Sequence, residues 1–153
     1  MVSHKVEKEF WDQRYAAKDF VCGVEPNAFF RQEILKISHG RLLLPGEGEG
    51  RNAAFAASIG GKVIAFDQSS EGRKKALRLA KREGVEIVYL VAALNEFNAK
   101  PESFDCIAIV FVHFTEAERN IIHQKLLSFI NLAFKVVNLR PEISADIVGR
   151  NSF

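Results

Sequence analysis

Hydrophobic and polar positions along the chain fall into two alternating rhythms. Residues 6–17 carry Phe10 with Arg14 and Trp11 with Tyr15 at helical spacing, and so predict a short amphipathic helix. Residues 20–27 hold Gly23 and Pro26 and read as a loop. Residues 28–37 repeat the helical pattern, which ends near Gly40. Strand-like and helix-like stretches then take turns. Residues 41–45 form a short apolar strand, 46–50 a glycine loop, and 51–58 an Ala-rich helix stopped by Gly60 and Gly61. Residues 62–67 form a strand that ends in an acid. Ser69 or Ser70 caps a helix that runs to about Glu83 and is closed by Gly84. Residues 85–91 read as a strand, and 104–111 as a continuous apolar strand of the kind buried on both faces. Thr115 and Glu118 make a capping box for a helix through about Ile130, and residues 133–139 offer one last strand.

Strands alternating with helices predict an α/β fold, three-layered, around a mainly parallel sheet. Ligands in such sheets bind beyond the carboxyl ends of the strands, where the strand order reverses. Residues 46–52, 67–70 and 111–115 are therefore the segments in which to look for function.

Composition narrows this picture. The 153 residues suit one domain, with a helical N-terminal cap over about 5–37 and an α/β core over about 41–139. Twenty-one Lys and Arg nearly cancel nineteen Asp and Glu, so net charge argues for no polyanionic partner. The densest basic run, Arg73, Lys74, Lys75, Arg78, Lys81 and Arg82, reads as a solvated helix face rather than a nucleic-acid patch. Cys22 and Cys106 are too few for a disulfide framework, and Cys106 lies within an apolar run. No run is long enough to span a bilayer and the N-terminus is polar, which together predict an intracellular, cytoplasmic protein. No His, Cys or Asp grouping has metal-ligand spacing, so no metal is expected.

The chemistry concentrates in Leu42-Leu43-Leu44-Pro45-Gly46-Glu47-Gly48-Glu49-Gly50-Arg51-Asn52. Glycines at alternate positions between a strand and a helix permit a sharp turn and close backbone approach. A phosphate loop would need Lys then Ser or Thr after the glycines, and a dinucleotide loop a different spacing. Glu47 and Glu49 also oppose a pyrophosphate, so the loop suits a ligand without phosphate, one with a positive centre. Asp67, at the end of the next strand, suits vicinal ribose hydroxyls; the plainer role is to cap the following helix.

With these features the chain resembles the class I S-adenosylmethionine-dependent methyltransferases. It is most similar to the small bacterial branch of tellurite-resistance and thiopurine-methyltransferase-like proteins. The resemblance rests on Phe10-Trp11-Asp12-Gln13-Arg14-Tyr15, Gly23-Val24-Glu25-Pro26-Asn27, the glycine loop, Val63-Ile64-Ala65-Phe66-Asp67, Phe104-Asp105 and His113. It implies a Rossmann-like sheet, S-adenosylmethionine as cofactor and a small-molecule methyl acceptor. Gly46, Gly48 and Gly50 would pass beneath the methionine part of the cofactor, and Glu47, Asn52 and Gln68 would also contact the cofactor. Asp67 would hold the ribose, and Ala92, Ala93 and Leu94 would border the adenine. Trp11, Tyr15 and Gly23 would cover the cofactor from the N-terminal side. A sulfonium is attracted to aromatic faces, which gives Trp11 and Tyr15 a physical reason; packing of the first helix on the sheet is the alternative.

Three departures from the family pattern set further expectations. Leu44 stands where the family carries an acid, and Glu47 is the candidate to replace it at the cofactor. Ala93 stands where an acid meets adenine, leaving Asn95 or Glu96 to compensate. The usual C-terminal strands are expected to be missing, which would leave an exposed sheet edge near 134–139 and a homodimer through it. His113 is the candidate base, with hydrogen bonding to a loop carbonyl as its alternative. A catalytically impaired protein that binds S-adenosylmethionine or S-adenosylhomocysteine is the competing function.

Overall fold

The computed structural model describes residues 4–37, 40–131, 135–139 and 146–149. Its elements are α1 (His4–Tyr15), α2 (Ala28–Ile34), β1 (Arg41–Pro45), α3 (Arg51–Ser58), β2 (Lys62–Asp67) and α4 (Ser70–Arg82), followed by β3 (Val88–Val91), β4 (Cys106–Val110), α5 (Glu116–Ser128), β5 (Lys135–Leu139) and β6 (Asp146–Gly149). The strands form one sheet in the order β3-β2-β1-β4-β5-β6. β1 to β5 run parallel, and β6 pairs antiparallel with β5. The chain moves outward from β1 through β2 to β3, then crosses back to lay β4 on the other side of β1. The order therefore reverses between β1 and β4, and a crevice opens above their carboxyl ends.

Two apolar clusters hold the layers. One lies between the sheet and α2, α3 and α4, and contains Phe30, Leu42, Leu44, Ala53, Ala56, Ala65, Ala76 and Tyr89. The small side chains on α3 and α4 let these helices sit close to the sheet. The other lies beneath α5 and contains Leu43, Phe66, Phe97, Ile107, Ile109 and Leu126. Its aromatics are ordered, with Phe66 stacked on Phe97 at 4.3 Å and Phe129 edge-on to Phe97 at 6.1 Å. Leu43 and Leu44 are both wholly buried although they alternate in direction, as expected of a strand covered on both faces.

The helix ends follow their chemistry. The Asn27 side chain accepts from the N–H groups of Phe29 and Phe30 and starts α2. Ser69, rather than Ser70, caps α4 by accepting from Gly72 N–H. The Thr115–Glu118 capping box is formed as the sequence predicts.

Several expectations are corrected. The third strand begins at Val88 rather than residue 85, because Val85 N–H donates to Ala80 O and completes the end of α4. α2 ends at Ile34, where i to i+3 bonds from Lys36 and Ile37 tighten the last turn. Lys75 is not part of a solvated face: it is 4% exposed, whereas Arg73, Lys74 and Arg78 are exposed. The expected edge near 134–139 is not an edge, since β6 covers β5. The predicted start of that strand, 133–134, lies outside the described residues.

Candidate functional site

A cavity of about 350 Å³ occupies the crevice above β1, β2 and β4. Trp11, Tyr15, Gly46, Asp67, Gln68, Ala92, Ala93, Leu94 and His113 all line it. Residues from the loops after four strands and from one N-terminal helix thus meet at the place where strand order reverses.

Asp67 anchors the inner wall. Its Oδ2 accepts from Gly48 N–H at 3.1 Å and its Oδ1 from Ser69 N–H at 2.9 Å. These bonds fix the carboxylate and still leave acceptor capacity toward the cavity. Burial pushes its pKa above the ordinary carboxylate value, while the Ser69 and Gly48 N–H groups pull it back. Asp67 does not cap α4, because Ser69 does.

The glycine loop is shaped by protein neighbours. Gly48 has φ +62°, and a Cβ there would stand 2.7 Å from the Tyr15 hydroxyl. Gly50 has φ +85°, and a Cβ would stand 2.4 Å from Ala76 Cβ on α4. Gly46 lines the cavity; Gly48 lies beneath Tyr15, and Gly50 serves the packing of α3 against α4. Tyr89 adds a hydroxyl donated to Gly48 O at 2.5 Å.

The two acids of the loop turn inward. Glu47 Oε1 accepts from Ala53 N–H at 2.8 Å in the first turn of α3, and its carboxylate also bonds the Asn52 side chain. It is not among the residues lining the cavity, so the expected replacement of the family acid by Glu47 at the cofactor is corrected. The physical reason is that the start of α3 offers free N–H groups to the nearest carboxylate. Burial raises the Glu47 pKa to about 7, with the Ala53 N–H and the Asn52 bonds opposing the rise. Glu49 is paired with buried Lys75 at 2.7 Å. Lys75 also donates to Asp19 O at 2.6 Å and lies over the Phe20 ring.

Asn52 and Gly23 are likewise placed away from the cavity. Asn52 Oδ1 accepts from Asn27 N–H at 2.9 Å, and Gly23 sits in an exposed turn with φ +73° and no atom near its would-be Cβ. Cys22 N–H donates to Glu49, and Arg51 donates to Cys22 O. The segment 20–27 is thereby stitched to the glycine loop through Glu49, Arg51 and Asn52.

α1 supplies the lid of the cavity. Trp11 and Tyr15 stack at 5.4 Å with an interplanar angle of 25°. Asp12, on the same helix, accepts from Ser69 Oγ at 2.6 Å and from Glu71 N–H at 3.3 Å at the start of α4, and pairs with Lys8 at 2.9 Å. Burial alone would raise the Asp12 pKa; the bonds from Ser69, Lys8 and Glu71 overcome it and hold it at about 2.

Asn95 lines the cavity next to Ala93, whereas the Glu96 carboxylate turns back to accept from Ala93 N–H. Within residues 111–115 the sequence singles out His113 alone as a site residue. The structure brings Phe111, Val112 and Phe114 to the wall together with His113, and adds Glu7, Glu118, Ile121 and Ile122. The last three belong to the helix turns that flank the crevice, and the capping box was the signal that placed Glu118 at a helix start. Among the described residues no group of acids, His or Cys is arranged to hold a metal ion, and no helix is long and apolar enough to cross a membrane.

A family model described as a methyltransferase domain matches residues 43–131, more than half of the chain. No protein of curated function matches the sequence. Among solved structures, one from work on the conversion of a disulfide bond into a thioacetal group during echinomycin biosynthesis is similar, with TM-score 0.75 and 20% identity over 86% of this chain and 59% of its own. A SAM-dependent methyltransferase from Aquifex aeolicus has TM-score 0.61 and 18% identity, over 71% of this chain and 62% of its own. Phosphoethanolamine N-methyltransferase 1 from Haemonchus contortus, solved with phosphoethanolamine and S-adenosylhomocysteine, has TM-score 0.69 and 15% identity, over 99% of this chain and 39% of its own. At these identities the likeness is one of fold, the Rossmann-like methyltransferase sheet. The chain spans 59% of the length of the first of these structures and 62% and 39% of the other two.

Proposed function

The chain belongs to the class I S-adenosylmethionine-dependent methyltransferase family, and we propose that its cavity holds S-adenosylmethionine for methyl transfer to a small-molecule acceptor. The observation that carries this reading is the convergence of Asp67, Gly46 at the start of the glycine loop and the Trp11–Tyr15 pair on one cavity at the strand-order reversal. The cavity fits a sulfonium better than a pyrophosphate. Its described lining contains aromatic faces and carboxylates, and neither Lys nor Arg. Bound there, the cofactor supplies an electrophilic methyl group. The protein's own part is placement: Asp67 would accept from the ribose hydroxyls, Gly46 would lie along the cofactor at the cavity wall, and Ala92, Ala93 and Leu94 would border the adenine. Trp11 and Tyr15 cover the sulfonium and exclude water. His113, exposed at the end of β4, takes the acceptor's proton.

Within the family, residues 10–15 and 23–27 support the tellurite-resistance and thiopurine-methyltransferase-like branch. In this chain those segments carry the lid and its stitching to the glycine loop. We read the protein as cytoplasmic on the same footing. A second reading, a binding protein with impaired catalysis, is favoured by Leu44, which is wholly buried where the family places an acid, and by Ala93, which offers adenine no side-chain acceptor.

Calorimetric titration with S-adenosylmethionine and S-adenosylhomocysteine tests both readings. Wild-type protein is expected to bind each, and Asp67→Asn to lose at least about tenfold in affinity, the loss of one charge-assisted contact. Absence of binding at millimolar ligand overturns the proposal. Binding without turnover across thiol, amine and oxyanion acceptors selects the second reading.

A further inference from the structure

Tyr89 carries a buried hydroxyl to which ligand binding at the cavity assigns no task. It stands on β3, is 3% exposed and does not line the cavity. Its partner across the sheet is the small Ala65 of β2, and both lie in the apolar layer beneath α3 and α4. The Tyr89 side chain reaches past β2 to the glycine loop, where its hydroxyl donates to Gly48 O at 2.5 Å. Burial, then the charges of Asp67 and Glu47, push its pKa above the ordinary tyrosine value, so the hydroxyl keeps its proton and remains a donor.

Gly48 needs such a holder. At φ +62° and without a side chain, it sits where the backbone is freest to turn. Its N–H donates to Asp67 Oδ2 at 3.1 Å. Its carbonyl lies against the first turn of α4, where a Cβ on Gly72 would stand 2.9 Å from the oxygen. One residue thus receives a bond from Tyr89 and gives a bond to Asp67. The other carboxylate oxygen, Oδ1, is held by Ser69 N–H at 2.9 Å. Held at both oxygens, the carboxylate presents its remaining lone pairs in one orientation. A vicinal diol engages both oxygens at once, so its capture depends on that orientation being set beforehand.

Resting on the reading of Asp67 as the ribose acceptor of an S-adenosylmethionine site, we propose that Tyr89 is a positioning residue for ribose recognition, acting on the Asp67 carboxylate through Gly48. Its hydroxyl clamps the Gly48 carbonyl, the clamped residue aims its N–H at Asp67 Oδ2, and the carboxylate is set to receive the 2′ and 3′ hydroxyls together. Without the hydroxyl, Gly48 O loses the bond from Tyr89. A buried carbonyl left unpaired is costly, so the loop shifts to relieve it and Asp67 is held firmly at Oδ1 alone. The loss falls on the ribose contacts and spares those to the purine and the amino-acid end.

The test measures, with the whole chain, calorimetric affinity for S-adenosylhomocysteine and for its 2′-deoxyribose analogue. Wild type is expected to prefer the ribose form at least about tenfold. In Tyr89→Phe, affinity for S-adenosylhomocysteine should fall at least about fivefold, while affinity for the deoxy analogue changes less than about twofold. Gly72→Ala presses on the same carbonyl from α4, leaves Tyr89 in place and should narrow the preference in the same way. In the unliganded protein, exchange of the Gly48 amide should run at least about tenfold faster in Tyr89→Phe. Equal weakening of both ligands marks a purely structural role and overturns the proposal, as does a ribose preference or a Gly48 exchange rate that Tyr89→Phe leaves unchanged. If wild type binds both ligands equally, Asp67 does not hold the ribose, and the proposal falls while the cofactor reading stands. If wild type binds neither, both fall.

Discussion

Glu47 and Glu49 occupy one loop two positions apart and meet burial in different ways. Glu49 has Lys75, with both side chains almost wholly buried. Glu47 has hydrogen bonds and a weaker attraction from Arg51, and burial still raises its pKa to about 7. A carboxylate whose folded pKa lies above the ordinary value binds more protons folded than unfolded between those two pH values. Its contribution is therefore favourable at about pH 4.5 and is lost as pH rises toward 7. Glu47→Gln keeps an oxygen for Ala53 N–H and carries no charge. Relative to wild type it should gain stability as pH rises from 5 to 8, by up to about 3 kcal/mol, and thermal melts over that range measure the difference. For the other acid, Lys75→Met leaves the Glu49 carboxylate buried without its cation. That should cost about 3–5 kcal/mol in urea unfolding, with partial recovery when Glu49→Gln is added. Neither role was legible in the sequence. Glycine spacing revealed the loop and the apolar run before it revealed the strand, but the direction of a Glu side chain depends on which N–H or cation the finished fold brings near. Lys75 was hidden for the same reason, since its neighbours Arg73, Lys74 and Arg78 are exposed.

Among the elements, α1 depends most on a single side chain. Asp12 seats the helix against the start of α4 by accepting from Ser69 and Glu71, where a carboxylate also complements the helix dipole. Trp11 and Tyr15, on the same helix, line the cavity. Asp12→Ala should therefore speed hydrogen exchange across α1 and weaken S-adenosylmethionine binding several-fold, with a small change in melting temperature, because α1 adds little to either apolar cluster. The Asp12 pKa is depressed to about 2, so its contribution is complete above about pH 4 and fades as pH falls toward 2. The α1 seat should thus be indifferent to pH from 5 to 8. The alternation of elements was readable because burial on two faces leaves continuous apolar strands and capped helices. Their contacts were not: Phe10, Trp11 and Tyr15 predict a helix, but Phe10 is 54% exposed and only the other two face the cavity wall.

For the whole molecule, the uneven cover of the sheet decides how it behaves in solution. α3 and α4 cover one face of β2 and β3, as Ala65 and Tyr89 in the first cluster show. On the other face α5 reaches β1 and β4, but residues 92–105, which join β3 to β4, form no helix. Ile64, Val88, Leu90, Phe97 and Phe104 consequently line an open groove of about 950 Å³, with Lys62, Lys81 and Lys100 at its rim. Val88 is 53% exposed and Leu90 43%, on the outermost strand of the sheet. The sequence marked residues 85–91 as a strand, yet pattern alone does not tell a strand covered on both faces from one covered on a single face. The expectation of a bare edge was placed at the other end of the sheet, where β6 covers β5. An exposed apolar strand with lysines around it binds hydrophobic probes and tends to self-associate, while charge on such a strand opposes edge pairing. Val88→Thr with Leu90→Lys should lower the fluorescence of bound anilinonaphthalene sulfonate at least about twofold and raise the concentration at which the protein aggregates. The substitution costs little packing because both side chains already meet solvent, so the melting temperature should stay within a few degrees. Dye binding unchanged in the double variant would place the sticky surface elsewhere.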